Sequence, residues 1–192
     1  MPYYEFYNLP NAAIPGLPVP LPRQFQANPA NRLQAAANPF SESAAPDQMV
    51  ISVSTSANPS NNGWIGRGPE WFNVSIRRRV KTFTNAAGAV ALNIATGDLP
   101  LYKLAVMSTH PNWNCSLDDP AQWPKLYLEL DTQNGVRLKY EMERLVIDDW
   151  SLEVDAGNAG EVYEVLQFRA WVVQAALREG NSLKVALGNS EP

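Results

Sequence analysis

Between Leu126 and Val173 apolar and charged residues alternate so regularly that the chain has few options other than antiparallel strands. Val136, Leu138, Tyr140 and Met142 interleave with Arg137, Lys139, Glu141 and Glu143. Strand side chains repeat every two residues, so this spacing sets one apolar face against one charged face. Upstream, Leu126 to Asp131 leads into Asn134-Gly135, and both of those residues tolerate the positive φ of a tight hairpin turn. The spacing predicts one hairpin from Leu126 to Met142, with Val136, Leu138, Tyr140 and Met142 turned into a core. Leu145 to Val154 and Val162 to Val173 continue the pattern across a gap containing Gly157 and Gly160.

Two further strands are predicted upstream. Met49 to Ser56 alternates and closes at the turn-rich run Asn58 to Gly63. Asn73 to Phe83 sets Val74, Ile76 and Val80 on one face and Ser75, Arg77, Arg79 and Lys81 on the other. Arg77, Arg79 and Lys81 are therefore candidates for a subunit contact or the lining of a lumen, against the plainer reading of a solvated face. Only Phe83 lies near them, and a single-stranded nucleic-acid platform interleaves aromatics with its cations. Thr84 to Thr96 has no decisive period. Asp98 can cap a short helix that has Pro100 in its first turn, with Leu101, Leu104 and Ala105 on one face before Ser108. His110 to Pro124, with Trp113, Trp123 and three prolines, reads as an insertion packing its own side chains over the core.

Residues 1–47 differ from the rest. Prolines at 10, 15, 18, 20, 22, 29, 39 and 46 remove donors and fix φ, which argues against a long helix or a central strand. Tyr3, Tyr4, Phe6, Tyr7 and Phe25 nonetheless give the segment more aromatic surface than a disordered leader carries. The expectation is an extended arm whose aromatic anchors dock on a neighbouring subunit, with one short helical stretch from Asn31 to Ala37. Removing Met1 to Pro46 is then expected to spare the fold and abolish assembly. With 192 residues, enough for one sizeable core, the chain divides into an arm (1–47), an antiparallel β-barrel or sandwich with one short α-helix (48–178) and a carboxy-terminal tail (179–192).

Several chemistries are disfavoured. A single cysteine, Cys115, and a single histidine, His110, allow no internal disulfide and no Cys/His zinc cluster, and a Ser-His-Asp site would rest on one loop histidine. The loop with Gly63, Gly66 and Gly68 lacks the spacing, lysine and hydroxyl of a phosphate cradle. Asp118-Asp119 and Asp148-Asp149 are adjacent pairs, so on a strand each doublet splits between opposite faces rather than flanking one substrate bond. Trp64, Trp71, Trp113 and Trp123 flank loops and offer surfaces on which a sugar could stack. A formal net charge of -4 disfavours phosphate-driven nucleic-acid binding. No basic-then-apolar leader and no apolar span argue for export or membrane insertion, and Asn73-Val74-Ser75 and Asn114-Cys115-Ser116 are read as chance glycosylation patterns. The expectation is no catalytic, cofactor or metal site: a protein that is not an enzyme.

The run Tyr140-Glu-Met-Glu-Arg-Leu-Val-Ile-Asp-Asp-Trp-Ser-Leu, a Gly/Asn/Ala loop, and Glu161-Val-Tyr-Glu-Val-Leu-Gln-Phe-Arg-Ala resemble the carboxy-terminal half of the Hcp family, the tube proteins of type VI secretion systems, and the similar tail tube proteins of phages. Asp98-Leu-Pro-Leu-Tyr-Lys-Leu sits where that family places its helix. The chain departs from the family in its Pro-rich arm and in the insertion from His110 to Pro124. The resemblance implies hexameric rings stacked as a tube, with sheath, baseplate or cargo proteins as further partners, nucleic acid only as cargo, and no cofactor. It also implies cytoplasmic assembly, followed by secretion without a signal peptide or incorporation in a virion. The alternatives are a capsid or decoration subunit with an arm, and a carbohydrate-binding β-sandwich.

Overall fold

The computed structural model describes residues 1–10, 38–55, 71–80, 99–109, 120–131, 136–155 and 161–179, together with Trp113 and residues 23–24, 83–84, 90–91 and 182–187. For residues 23–24, 55, 83–84, 90–91, 120, 136, 172–179 and 182–187 the description is of the backbone alone. In chain order the strands are β1 (Tyr3–Tyr7), β2 (Leu9–Pro10), β3 (Arg23–Gln24), β4 (Ser41–Ser43), β5 (Met49–Thr55), β6 (Trp71–Arg79), β7 (Phe83–Thr84) and β8 (Val90–Ala91). Helix α1 (Pro100–Ser108) follows, then β9 (Lys125–Asp131), β10 (Val136–Asp155), β11 (Glu161–Glu179) and β12 (Ser182–Leu187). Eight strands form one antiparallel sheet in the order β4-β1-β9-β10-β11-β6-β5, with β12 also on β11; β2–β3 and β7–β8 are separate small ladders.

The long β10–β11 hairpin turns this sheet into two facing layers. The first half of β10 pairs with β9, and the second half, from Val146, pairs with residues 161–169 of β11, which carry β6 on their other side. Register shifts fall at Glu141/Met142, Glu143/Val146 and Ile147/Asp149, and Arg144 between them has φ 54. Such bulges bend a strand and tighten its twist, so the hairpin leaves one layer and enters the other. One layer is β5, β6, the first half of β11 and the second half of β10; the other is β4, β1, β9, the first half of β10, the second half of β11 and β12.

Ring contacts show the layers meeting. Phe6 of β1 and Phe168 of β11 have centroids 5.7 Å apart, although a flat sheet would hold strands three places apart at about 14 Å. The ends of the strand order, β4 and β5, are separated only by residues 44–48. The sheet therefore rolls up, and it stays open at β4/β5, where no described ladder joins the two. Between the layers lie Tyr4, Phe6, Leu126, Leu128 and Met142 from one side and Met49, Val74, Ile76, Leu166 and Phe168 from the other, with Leu101, Leu104, Trp113 and Leu145 filling in.

The expected hairpin is present, with Leu126 opposite Met142, Leu128 opposite Tyr140 and Leu130 opposite Leu138. Burial along its second strand is uneven. Met142 is fully buried, whereas Leu138 and Tyr140 are half-buried and the side chain of Val136 lies outside the described residues. The cause is position: Tyr140 meets Phe72, near the start of β6, and Leu138 is a step farther out. The helix is also where the pattern places it, with Leu101 and Leu104 buried and a proline in its first turn. Leu99, not Asp98, holds the N-cap position and makes no side-chain cap bond; Asp98 lies outside the described residues. In the expected insertion, Trp113 is buried in the main core and its indole N–H donates to the Leu145 carbonyl at 2.7 Å.

The reading of residues 1–47 as an appended arm needs correction. β1 is an inner strand, with Tyr4 opposite Glu42 of β4 on one side and Leu128 of β9 on the other. Tyr4 and Phe6 are fully buried in this chain's own core, while Tyr3 and Tyr7 cluster with Tyr127 on the opposite face. The stretch between Pro2 and Pro10 is free of proline and long enough for a five-residue strand. Likewise β4 belongs to the roll, and β12 shows that the expected tail contains a strand. Phe25 and Asn31–Ala37 lie outside the described residues. A chain lacking residues 1–10 should show no cooperative circular dichroism melt, and Phe6→Ala alone should lower stability by about 3–5 kcal/mol; a truncated chain that melts like the full one would restore the arm reading.

Candidate functional site

Within the basic cluster the middle arginine differs from its neighbours. Arg78 has the strand parity of Val74 and Ile76, so its side chain enters the core, where it is 5% exposed. Its partner across the ladder is Glu164 of β11, with Nη1 to Oε2 at 3.0 Å. Its Nε also donates to Glu42 Oε2 at 2.5 Å, and Glu42 belongs to β4, near the far end of the strand order. Arg78 thus bridges the opening of the roll. The Tyr4 hydroxyl donates to the same Glu42 oxygen at 3.4 Å.

Glu164 extends the network to the helix. Its Oε1 accepts the Tyr102 backbone N–H at 2.5 Å and the Trp150 indole N–H at 3.1 Å. Tyr102 is in the first turn of α1, where amides have no acceptor within the helix and the helix dipole favours negative charge. A carboxylate from β11 therefore does what a capping side chain does elsewhere. Burial pushes the Glu164 carboxyl above its ordinary value, opposed by the Tyr102 amide, Arg78 and Trp150. Burial likewise pushes the Tyr4 phenol up. For Arg78 burial works against the charge, but Tyr4, Glu42 and Glu164 outweigh it and the pKa is raised, so Arg78 remains a cation. The oxygens are committed to fixed donors, and the cluster acts as a tie between β4, β6, β11 and α1.

Arg77 and Arg79 project from the outer face. Arg77 Nε lies 2.8 Å from Glu153 Oε2, with its guanidinium 3.5 Å from the Tyr163 ring centroid, and Arg79 pairs with Glu161 at 2.7 Å. Both expected contact cations are thus matched within the chain; pairs as exposed as these contribute about 0.2–1 kcal/mol. Lys81 lies outside the described residues. Parity was the signal for Arg78 and Glu164, since each is a charged residue at a core position of an alternating strand.

At the bend of the hairpin, Arg144 is sandwiched between Trp123 and Trp171, with its guanidinium carbon 4.1 and 3.9 Å from the ring centroids. Trp71 packs edge-on to Trp171 at 5.2 Å. Of the four tryptophans expected to offer sugar-stacking surfaces, Trp113 and Trp123 are buried, Trp64 lies outside the described residues, and Trp71 is 38% exposed. Among the described residues no group of three His, Cys, Asp or Glu could hold a metal ion, and no helix is long and apolar enough to cross a membrane. Compared with known proteins, the chain matches no protein-family model, no curated protein and no solved structure.

Replacing Arg78 with Met strands the buried Glu164 and the half-buried Glu42 and should lower unfolding free energy by about 3–5 kcal/mol in urea titrations. The pH dependence of Glu164 has a definite sign. Its folded pKa is raised above the ordinary 4.5, so its contribution to stability is full below that value and is lost as pH rises through the raised one. Glu164→Gln cannot ionise, so its stability relative to wild type should improve as pH rises from 4.5 through the raised value. A difference that is flat, or that moves the other way, would refute this account of the carboxyl.

Proposed function

We propose that the chain is a self-assembling structural protein, not an enzyme, whose copies join edge to edge into a ring that is the unit of a stacked tube. The observation that carries this reading is that the layer built from β5, β6, β11 and β10 ends in two strands without a described partner. Among the described residues β5 pairs only with β6, and the second half of β10 only with β11. Open edges present unpaired N–H and C=O groups and accept another strand. Apolar side chains lie exposed on these strands: Val50 at 49% on β5, Leu152 at 38% and Val154 at 67% on β10.

Charge selects how the edges combine. The β10 edge carries Asp148, Asp149, Glu153 and Asp155, of which Asp148 and Glu153 are paired with Arg169 and Arg77, whereas β5, Met49 to Thr55, has no charged residue. Two β10 edges paired symmetrically would bring carboxylates together, which is destabilising. Joining β10 of one copy to β5 of the next avoids that, and such a head-to-tail contact generates a ring when its rotation closes. The outer face of this layer, with the Arg77 and Arg79 pairs, then becomes ring wall. Six-fold rings, stacking, sheath, baseplate or cargo partners, and cytoplasmic assembly before secretion or incorporation in a virion rest on the sequence resemblance to Hcp and tail tube proteins.

Light scattering and negative-stain microscopy test the reading. Wild type should form particles with a central hole, and Val50→Asp or Val154→Asp, each at an exposed site, should leave a folded monomer. Mixed together, these two variants retain one intact β10 edge and one intact β5 edge and should form a one-to-one pair. Monomeric wild type, or variants that assemble like wild type, would contradict the proposal; closed shells would favour a capsid protein.

A further inference from the structure

We infer that the outer face of the β5–β6–β11 layer carries a binding cleft for a neutral carbohydrate, independent of how copies of the chain associate. A shallow cleft of about 180 Å³ opens there, lined by Ser52, Ser54, Asn73, Ser75, Gln167 and Asp148, with Val74 and Phe168 beneath. The ladder register orders its polar groups: Ser52, Ser75 and Gln167 form one row across three strands, and Ser54, Asn73 and Arg169 form the next. Strand spacing sets neighbours in a row about 4.8 Å apart and the rows about 7 Å apart, on the scale of the hydroxyls around a sugar ring.

These polar groups are available. None of the side chains of Ser52, Ser54, Asn73, Ser75 and Gln167 hydrogen-bonds another protein group among the described residues. Elsewhere on the same face the side chains are paired, as with Arg77 and Glu153 or Arg79 and Glu161. At the cleft itself Arg169 and Asp148 hold each other through three hydrogen bonds of 2.9 to 3.1 Å, which makes a charge-balanced wall.

The aromatic component comes from Trp71, which shares the outward parity of Asn73 and Ser75 on β6. It is 38% exposed, and the Arg169 guanidinium sits 5.9 Å from its ring centroid. A row of hydroxyls and amides beside an exposed indole matches a ligand dense in hydroxyls with an apolar C–H face, because the indole covers the C–H face and the polar rows satisfy the hydroxyls. A phosphate or other anion would meet no uncommitted cation, since Arg169 is bound to Asp148. An acyl chain would have to desolvate the hydroxyls and amides of Ser52, Ser54, Asn73, Ser75 and Gln167 that line the cleft.

The probes are cellotetraose, chitotetraose, maltotetraose and mannotetraose, with inorganic phosphate as the anionic control, read by saturation-transfer NMR and calorimetry on the full chain. At least one oligosaccharide should bind with Kd on the order of 1 mM or tighter. Trp71→Ala should weaken it about tenfold, as should the Asn73→Ala/Gln167→Ala pair, whose exposed side chains can be removed without shifting the melting temperature. Binding of none of the four, binding unchanged in both variants, or equal binding of phosphate would each overturn the inference.

Discussion

One buried guanidinium determines which strands this sheet must bring together. Removing a cation and carboxylates from water costs several kcal/mol per ion, and only close, well-oriented partners offset it. Arg78 finds those partners on strands from opposite parts of the order: Glu164 beside it on β11 and Glu42 on β4. The same Glu164 holds the first turn of α1 through Tyr102. A roll with β4 misplaced would strand Arg78 with one carboxylate and leave Glu42 and the Tyr4 hydroxyl without a donor or acceptor. The network therefore penalises alternative closures more than it adds to stability.

The bend of the β10–β11 hairpin is the second constraint. Arg144 sits at φ 54, a conformation that is unfavourable for a residue with a Cβ, and its guanidinium lies between two indoles that pin it there. Because the hairpin crosses from one layer to the other, each half of β10 has its own neighbours. The first half is enclosed by β9 and β11, and the second half has a single neighbour among the described strands, β11. The contact surface we propose thus follows from a bulge some distance away from it.

Much of this architecture was legible in the sequence. The alternation from Leu126 to Met142, Asn134-Gly135 and the Pro100-initiated helix located the hairpin and the helix because each rests on a local period or turn. What escaped was non-local. Glu42 lies on a three-residue strand with no period to read, and β1 was obscured by the prolines on either side of it. Arg78 and Glu164 are legible in principle from their parity with Ile76 and Leu166, but three consecutive arginines must point to both faces of a strand, and a cation is more often found on the solvated one. Capping is usually local and so points to Asp98 at the start of α1, whereas the acceptor for the Tyr102 amide comes from a strand 62 residues away.

Native-state hydrogen exchange followed by NMR tests the central claim, that the first strand and the Arg78 network form a single cooperative core. The Phe6 amide, bonded to the Phe40 carbonyl at 3.0 Å, and the Tyr102 amide, bonded to Glu164, should exchange only through global unfolding, at the same free energy as Leu166 and Phe168 of β11. Exchange of Phe6 and Tyr102 through local opening, orders of magnitude faster than at β11, would show that the amino-terminal strand and the helix cap sit outside the core.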